Sequence, residues 1–129
     1  MFDVDSKDLS QGMSCPPSSF LESTVLKNIK QLIGAKGLFI LNLVCRDEEL
    51  RNSALTQLHQ VFPSICCYKL DEDINEVIYC SNDEKFKSAE DWKKVLGTSC
   101  RNLNTLARQQ KLVQEDLLDV TEFLNDLKL

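Results

Sequence analysis

Three aspartates near the start of the chain, Asp3, Asp5 and Asp8, have the type and spacing to do chemistry. Met1 to Asp5 alternates apolar and acidic residues, as the end of a strand does, and Ser6-Lys7-Asp8 then turns away. In open α/β sheets, ligands bind beyond the carboxyl ends of the strands, so carboxylates gathered there are candidates for a site. Composition alone favours a plainer reading, three solvated acids in a disordered start.

The other chemistry-bearing residues are less suggestive. Six cysteines in 129 residues invite a zinc or disulfide reading, but no two have Cys-x-x-Cys spacing, and the single histidine, His59, falls inside a helical pattern. Cys45, Cys66, Cys67 and Cys80 lie in apolar, strand-like runs, where a free thiol acts as a small hydrophobe. Reduced, buried cysteines and no bound metal are expected. Asp71-Glu72-Asp73 lacks the glycine and ligand spacing of a calcium loop and reads as a solvated turn. The four glycines form no Gly-x-Gly pattern, the turn that usually opens a nucleotide-binding α/β domain. No P-loop, nucleophile elbow or His–Cys pair occurs either. The chain reads as the second half of a doubly wound fold.

The elements that must position these residues are organised around Leu38–Cys45, an apolar run broken only by Asn42. It opens after Gly37 and closes on Arg46-Asp47. A continuous run predicts a strand buried on both faces, in the middle of a helix-covered sheet. Before it, residues 20–33 place Phe20, Leu21, Val25, Leu26, Ile29, Leu32 and Ile33 at helical spacing, opened by Ser19-x-x-Glu22 and closed by Gly34. After it, Asp47 predicts an N-cap, and Leu50, Ala54, Leu55, Leu58 and Val61 make one apolar face. Residues 65–70 and 74–80 are short β-rich runs around the acidic turn and predict a hairpin. The expected fold is an open, parallel α/β sheet with an antiparallel edge.

From Ser81 the chain changes character. Ser88 and Asp91 have capping spacing ahead of Trp92, Val95 and Leu96, and Gly97 interrupts that helix. Leu103, Leu106, Gln110, Val113, Leu117, Val120, Leu124 and Leu127 then follow at heptad-like spacing. One long helix, or two broken near residues 110–114, fits this seam. Packing back on the chain's own sheet is expected ahead of a coiled coil with a partner. Residues 1–80 therefore read as an α/β half-domain and residues 81–129 as a helical extension packing on it.

Composition bounds the partners. Hydrophobic residues at 43% and charged residues at 27% are ordinary for a soluble domain. A net charge of −5 argues against nonspecific nucleic-acid binding and suits a basic protein partner. No apolar stretch approaches the roughly 20 residues that span a bilayer. The N-terminus lacks the basic and apolar regions of a secretory signal, so a cytosolic address without membrane attachment is expected.

Five segments carry a family resemblance: Phe-Asp-Val-Asp-Ser-Lys-Asp (2–8), Gly-Met-Ser-Cys-Pro-Pro (12–17), Phe-Ile-Leu-Asn-Leu-Val-Cys-Arg-Asp (39–47), Val-Phe-Pro (61–63) and Asn-Glu-Val-Ile (75–78). They resemble the methyltransferase-like family that includes the dual lysine and N-terminal methyltransferase of elongation factor 1-alpha. The likeness runs in register through residues 1–80 and is looser from Ser81. It implies the second half of a Rossmann-like seven-strand class I methyltransferase domain, similar in fold to spermidine synthases. Residues 1–5 would be the fourth strand, residues 20–33 its crossover helix, Leu38–Cys45 the fifth strand and residues 65–80 the last two. Met1 matches a methionine internal to that domain, which implies a C-terminal fragment, an alternative product or an incompletely read gene.

In that family the domain transfers a methyl group from S-adenosylmethionine to the N-terminal amine of the elongation factor. The resemblance places the cofactor's glycine-rich loop and ribose-holding acid before Met1, so this chain alone is expected to be inactive. Methyl transfer needs a neutral, oriented amine and carboxylates to orient it or take its proton. Strand position favours Asp3 for that role, whereas the Asp-Ser-x-Asp pattern favours Asp5 and Asp8. Ser14, Cys15 and Pro16 would shape the substrate entrance. The alternatives are a non-catalytic interaction segment, or part of a spermidine-synthase-like aminopropyltransferase.

Overall fold

A strand needs bonding partners on both edges and cover on its apolar face, and the central apolar run obtains both. The computed structural model describes residues 1–6, 12–69, 74–83, 85–110 and 117–127. In chain order the elements are β1 (Met13–Cys15), a 3-10 turn (Ser18–Leu21), α1 (Ser23–Ile33), β2 (Leu38–Cys45), α2 (Glu48–Val61), β3 (Ser64–Lys69), β4 (Asn75–Ser81), α3 (Ala89–Gln109) and α4 (Thr121–Asp126). The strands form one sheet in the order β1-β2-β4-β3.

Every pairing between named strands is antiparallel, β2 running against β4 from Leu38↔Ser81 to Val44↔Asn75. The expected parallel character of the central strand survives at a single bridge, Phe2 to Leu41. The reason is local. The edge of β2 away from β4 is shared by two short pieces, with Phe2 at Leu41 and β1 at Val44 and Cys45. β1 runs the opposite way to the start of the chain.

Along β2 the side chains alternate, so Phe39, Leu41 and Leu43 are buried against α1 and α2 with Leu26, Ile29, Ala54, Leu58 and Phe62. Ile40, Asn42 and Val44 on the other face are only half-buried. Burial on both faces was expected, and the second face is incompletely covered because the C-terminal helices pack elsewhere. Trp92, Phe123, Leu124 and Leu127 gather instead over Cys66, Tyr68 and Tyr79 of the neighbouring strands. There the Trp92 indole N–H donates to Ser64 Oγ at 3.0 Å, and Ser64 in turn donates to the Phe86 carbonyl.

Local chemistry explains the boundaries. Asp47 caps α2 by accepting the N–H groups of Glu49 and Leu50. Ser88 caps α3 from Asp91, as its spacing indicated. The Ser19 signal instead yields a 3-10 turn, and α1 begins only at Ser23, with Glu22 in the N-cap position and no side-chain cap. Gly37 is required sterically, since a Cβ there would lie 2.0 Å from the Ile33 carbonyl oxygen. Gly97 does not interrupt α3, which runs through it. A Cβ at that position would sit 3.6 Å from Leu124 Cδ1, so the glycine lies where α4 packs. Leu32, assigned to the apolar face of α1, is 86% exposed.

The heptad-like seam divides into two helices, α3 ending at Gln109 and α4 beginning at Thr121. Asn104 ties them: its amide donates to Leu118 O at 2.7 Å and its carbonyl accepts from Leu118 N at 2.8 Å. Leu103 and Leu106 stay exposed, whereas Leu127 is buried. Val113 and the acidic turn at residues 71–73 lie outside the described residues. Since Trp92 anchors the second cluster, Trp92→Ala is expected to cost about 3–5 kcal/mol of unfolding free energy. Urea denaturation followed by circular dichroism measures this, and a loss below about 1 kcal/mol contradicts the anchoring role.

Candidate functional site

The start of the chain is anchored by its one aromatic residue. The Phe2 ring packs edge-on to Phe20 and Phe39, with centroids 5.2 and 5.1 Å away. Its backbone N–H donates to Ile40 O at 2.8 Å and its carbonyl accepts from Asn42 N at 2.9 Å. The parallel bridge directs the following residues toward the carboxyl end of β2, where α/β sheets hold ligands. Asp3 and Asp5 are exposed there, on a backbone held in place rather than on a loose terminus. Asp8 lies outside the described residues.

The second sequence-designated group lies beside the first. Cys15 is fully buried, and its thiol donates to the Asn42 carbonyl at 3.3 Å. Burial pushes that thiol up from its usual value, a backbone hydrogen bond at Val4 opposes this, and the charges of Asp5 and Asp3 add to the rise. Those interactions bring Asp3, Asp5 and Cys15 into one neighbourhood. Ser14 donates to Val44 O at 3.5 Å, and Pro16 is buried after a cis Cys15–Pro16 bond. Gly12 accepts Arg46 N at 2.9 Å and adopts φ +72°, with a built Cβ only 3.2 Å from Asp47 Cβ. A side chain there would be strained and crowded, so glycine lets this loop lie against the end of β2.

One residue at this edge carries no functional assignment from the sequence. Asn42 Nδ2 donates to Asp3 Oδ1 at 3.0 Å. Its signal was available as the one polar position in the apolar run.

A cavity of about 610 Å³ opens elsewhere, between α2 and the sheet, lined by Arg46, Arg51, His59, Cys67, Lys69 and Glu76 among others. Its chemistry is committed to structure. Glu76 is 5% exposed and accepts Arg51 Nε at 2.8 Å and Nη2 at 2.7 Å, a bond that raises the Arg51 pKa. Burial, with Glu76 adding, pushes the Cys67 thiol up to about 12, so it supplies no thiolate near neutral pH. His59 lines this cavity as an exposed residue of α2.

S-adenosylmethionine, implied by the resemblance, needs donors for its carboxylate and an acceptor for its ribose. Two helix N-termini that could serve an anion are already occupied. Asp47 takes the free N–H groups of α2 beside Glu48 and Glu49, and Ser88 caps α3 beside Glu90 and Asp91. A further carboxylate would be repelled at both. Neither of these two helix starts offers free donors to the cofactor's carboxylate.

The chain resembles known proteins along its whole length. The chain is 63% identical, over all 129 residues, to the eEF1A lysine and N-terminal methyltransferase homolog of Drosophila melanogaster. It is 43% identical, over 131 aligned residues and its whole length, to the eEF1A lysine and N-terminal methyltransferase of Xenopus laevis. Over its whole length the chain is thus similar to one segment of each of these methyltransferases. It spans 19% of the length of the Drosophila member and 18% of the Xenopus one. No protein-family model matches it. A crystal structure of human methyltransferase-like protein 13 in complex with SAH superposes with a TM-score of 0.65 at 40% identity, covering 73% of this chain and 42% of that one. The α/β arrangement thus matches part of a solved methyltransferase. No helix among the described residues is long and apolar enough to cross a membrane.

All six cysteines are free, with Cys15, Cys66, Cys67 and Cys80 buried and Cys45 and Cys100 half-buried. Burial is the main reason that Cys66 is pushed up to about 11 and Cys67 to about 12. A chromogenic disulfide reagent at pH 8 should therefore titrate Cys45 and Cys100 first, and the buried four only after denaturation. Early labelling of Cys15 contradicts the packed edge. The raised folded values contribute stability that is present below the ordinary value of 9.0 and lost as pH rises through 11 and 12. The urea midpoint should accordingly fall above pH 9.

Proposed function

We propose that this chain is the C-terminal part of an S-adenosylmethionine-dependent protein methyltransferase that acts on an amine of elongation factor 1-alpha, in the cytoplasm. The observation that carries the reading is the match over its full length to methyltransferases named for that substrate. The neighbour solved with SAH supports S-adenosylmethionine as the methyl donor. Residues 1–5 would serve as the fourth strand of the seven-strand sheet, β2 as the fifth and the β3–β4 hairpin as the last two. Residues 81–129 would form the helical extension.

In this reading the chain supplies the amine side of the reaction. Asp3 accepts a hydrogen bond from the substrate amine and holds its lone pair in line, with Asp5 as the next acid and Asp8 a further candidate from the sequence. The carboxylates also give the departing proton an acceptor. Ser14, Cys15 and Pro16 border the entrance, where packing rather than reactivity is their contribution. Cofactor binding belongs to residues of the longer protein outside this segment, so residues 1–129 alone are inactive.

The test has two arms. Isothermal calorimetry on residues 1–129 should show no S-adenosylmethionine binding, and tight binding overturns the division of labour. The second arm uses the Drosophila relative with its matching segment replaced by this chain. That protein should methylate elongation factor 1-alpha, and Asp3→Ala should lower kcat by about 100-fold while leaving cofactor affinity within about two-fold. Full activity in Asp3→Ala removes Asp3 from the site.

A further inference from the structure

Asn42 is the one polar residue in the apolar run of β2, and the strand itself asks for no amide there. A β-branched residue such as the nearby Val44 suits that half-buried position on propensity. The Asn42 backbone already has its partners: the N–H donates to Phe2 O at 2.9 Å, and the carbonyl accepts the Cys15 thiol at 3.3 Å. The side chain adds one further bond, Nδ2 to Asp3 Oδ1 at 3.0 Å.

The chemistry of that bond is specific. Asp3 is exposed, and an exposed carboxylate with no fixed donor samples several rotamers. A donor mounted on the central strand selects one of them, and it occupies one oxygen of the two. The other oxygen keeps its capacity to accept. A neutral amide achieves this without placing a competing cation beside the carboxylate. A lysine or arginine at position 42 would form an ion pair with Asp3 and oppose an incoming amine.

We propose that Asn42 is a positioning residue for amine methylation, holding the Asp3 carboxylate by one oxygen so that the other faces the substrate nitrogen. The proposal rests on the amine-orienting role of Asp3 given above, and it adds the residue through which that role is set.

A double-variant cycle in the Drosophila protein carrying this segment tests it. Asn42→Leu should lower kcat about ten-fold with the KM for S-adenosylmethionine unchanged. Asn42→Asp, which keeps the shape but removes the donor, should lower kcat at least as much and guards against a folding defect in the leucine variant. Combined with Asp3→Ala, Asn42→Leu should produce no further loss, because it acts through a carboxylate that is no longer there. Wild-type kcat in both Asn42 variants alongside a slow Asp3→Ala overturns the positioning role and leaves the function standing. Losses that multiply in the double variant likewise overturn it. A fully active Asp3→Ala overturns the role of Asp3 and the inference together.

Discussion

A central strand must satisfy the hydrogen-bonding groups of both its edges, and the rest of this structure follows from how β2 does so. On one side β4 runs the full length from Leu38 to Val44. On the other, no single strand does the work. The start of the chain bonds at Ile40 and Asn42, and β1 takes over at Val44 and Cys45. Burying a strand with those groups unpaired would cost several kcal/mol, so the two short pieces must meet at one point along the edge. That meeting point gathers Asp3, Asp5, Cys15 and Asn42. The candidate site is a by-product of completing the ladder.

The two faces of the sheet divide the remaining work. The face toward α1 and α2 holds the continuous apolar core, and polar side chains tie its helices together. Lys30 Nζ reaches Val61 O at 2.6 Å, and Asn82 Nδ2 bonds Lys30 O and Gly34 O. The opposite face has its aromatic cluster over β3 and β4, far along the sheet from the carboxylates. Ile40, Asn42 and Val44 are consequently left half-open, and an amide can sit in the strand without being sealed in.

Much of this was legible in the sequence. Most of the α1 and α2 core and the antiparallel β3–β4 pair follow from apolar periodicity, Leu32, Leu103 and Leu106 being exposed exceptions, and Asp47 and Ser88 cap where their spacing indicates. Strand direction was not legible, because periodicity carries no sign and β1 is only three residues long. The helix start at Ser23 was displaced by the 3-10 turn, and Gly97 was misread because a small residue within a helix marks a close packing contact as readily as a break. At the candidate site, the acidic alternation singled out Asp3 and Asp5, which the structure leaves exposed beside β2. The Asn42–Asp3 bond joins residues 39 positions apart, and no local pattern reports a pair so distant.

Trp92 is the sole tryptophan of the chain, and it lies beneath the last helix against Ser64, Phe86 and Leu127 rather than near the carboxylates. The molecule therefore has a built-in optical reporter with a fixed field of view. Intrinsic fluorescence follows the seating of the C-terminal helix on the hairpin, because loss of that cover wets the indole. Events at the Asp3 edge leave the emission unchanged unless they travel across the sheet. Any spectral response to a molecule held at that edge would then be a direct record of communication between the two ends of β2 and the far strand.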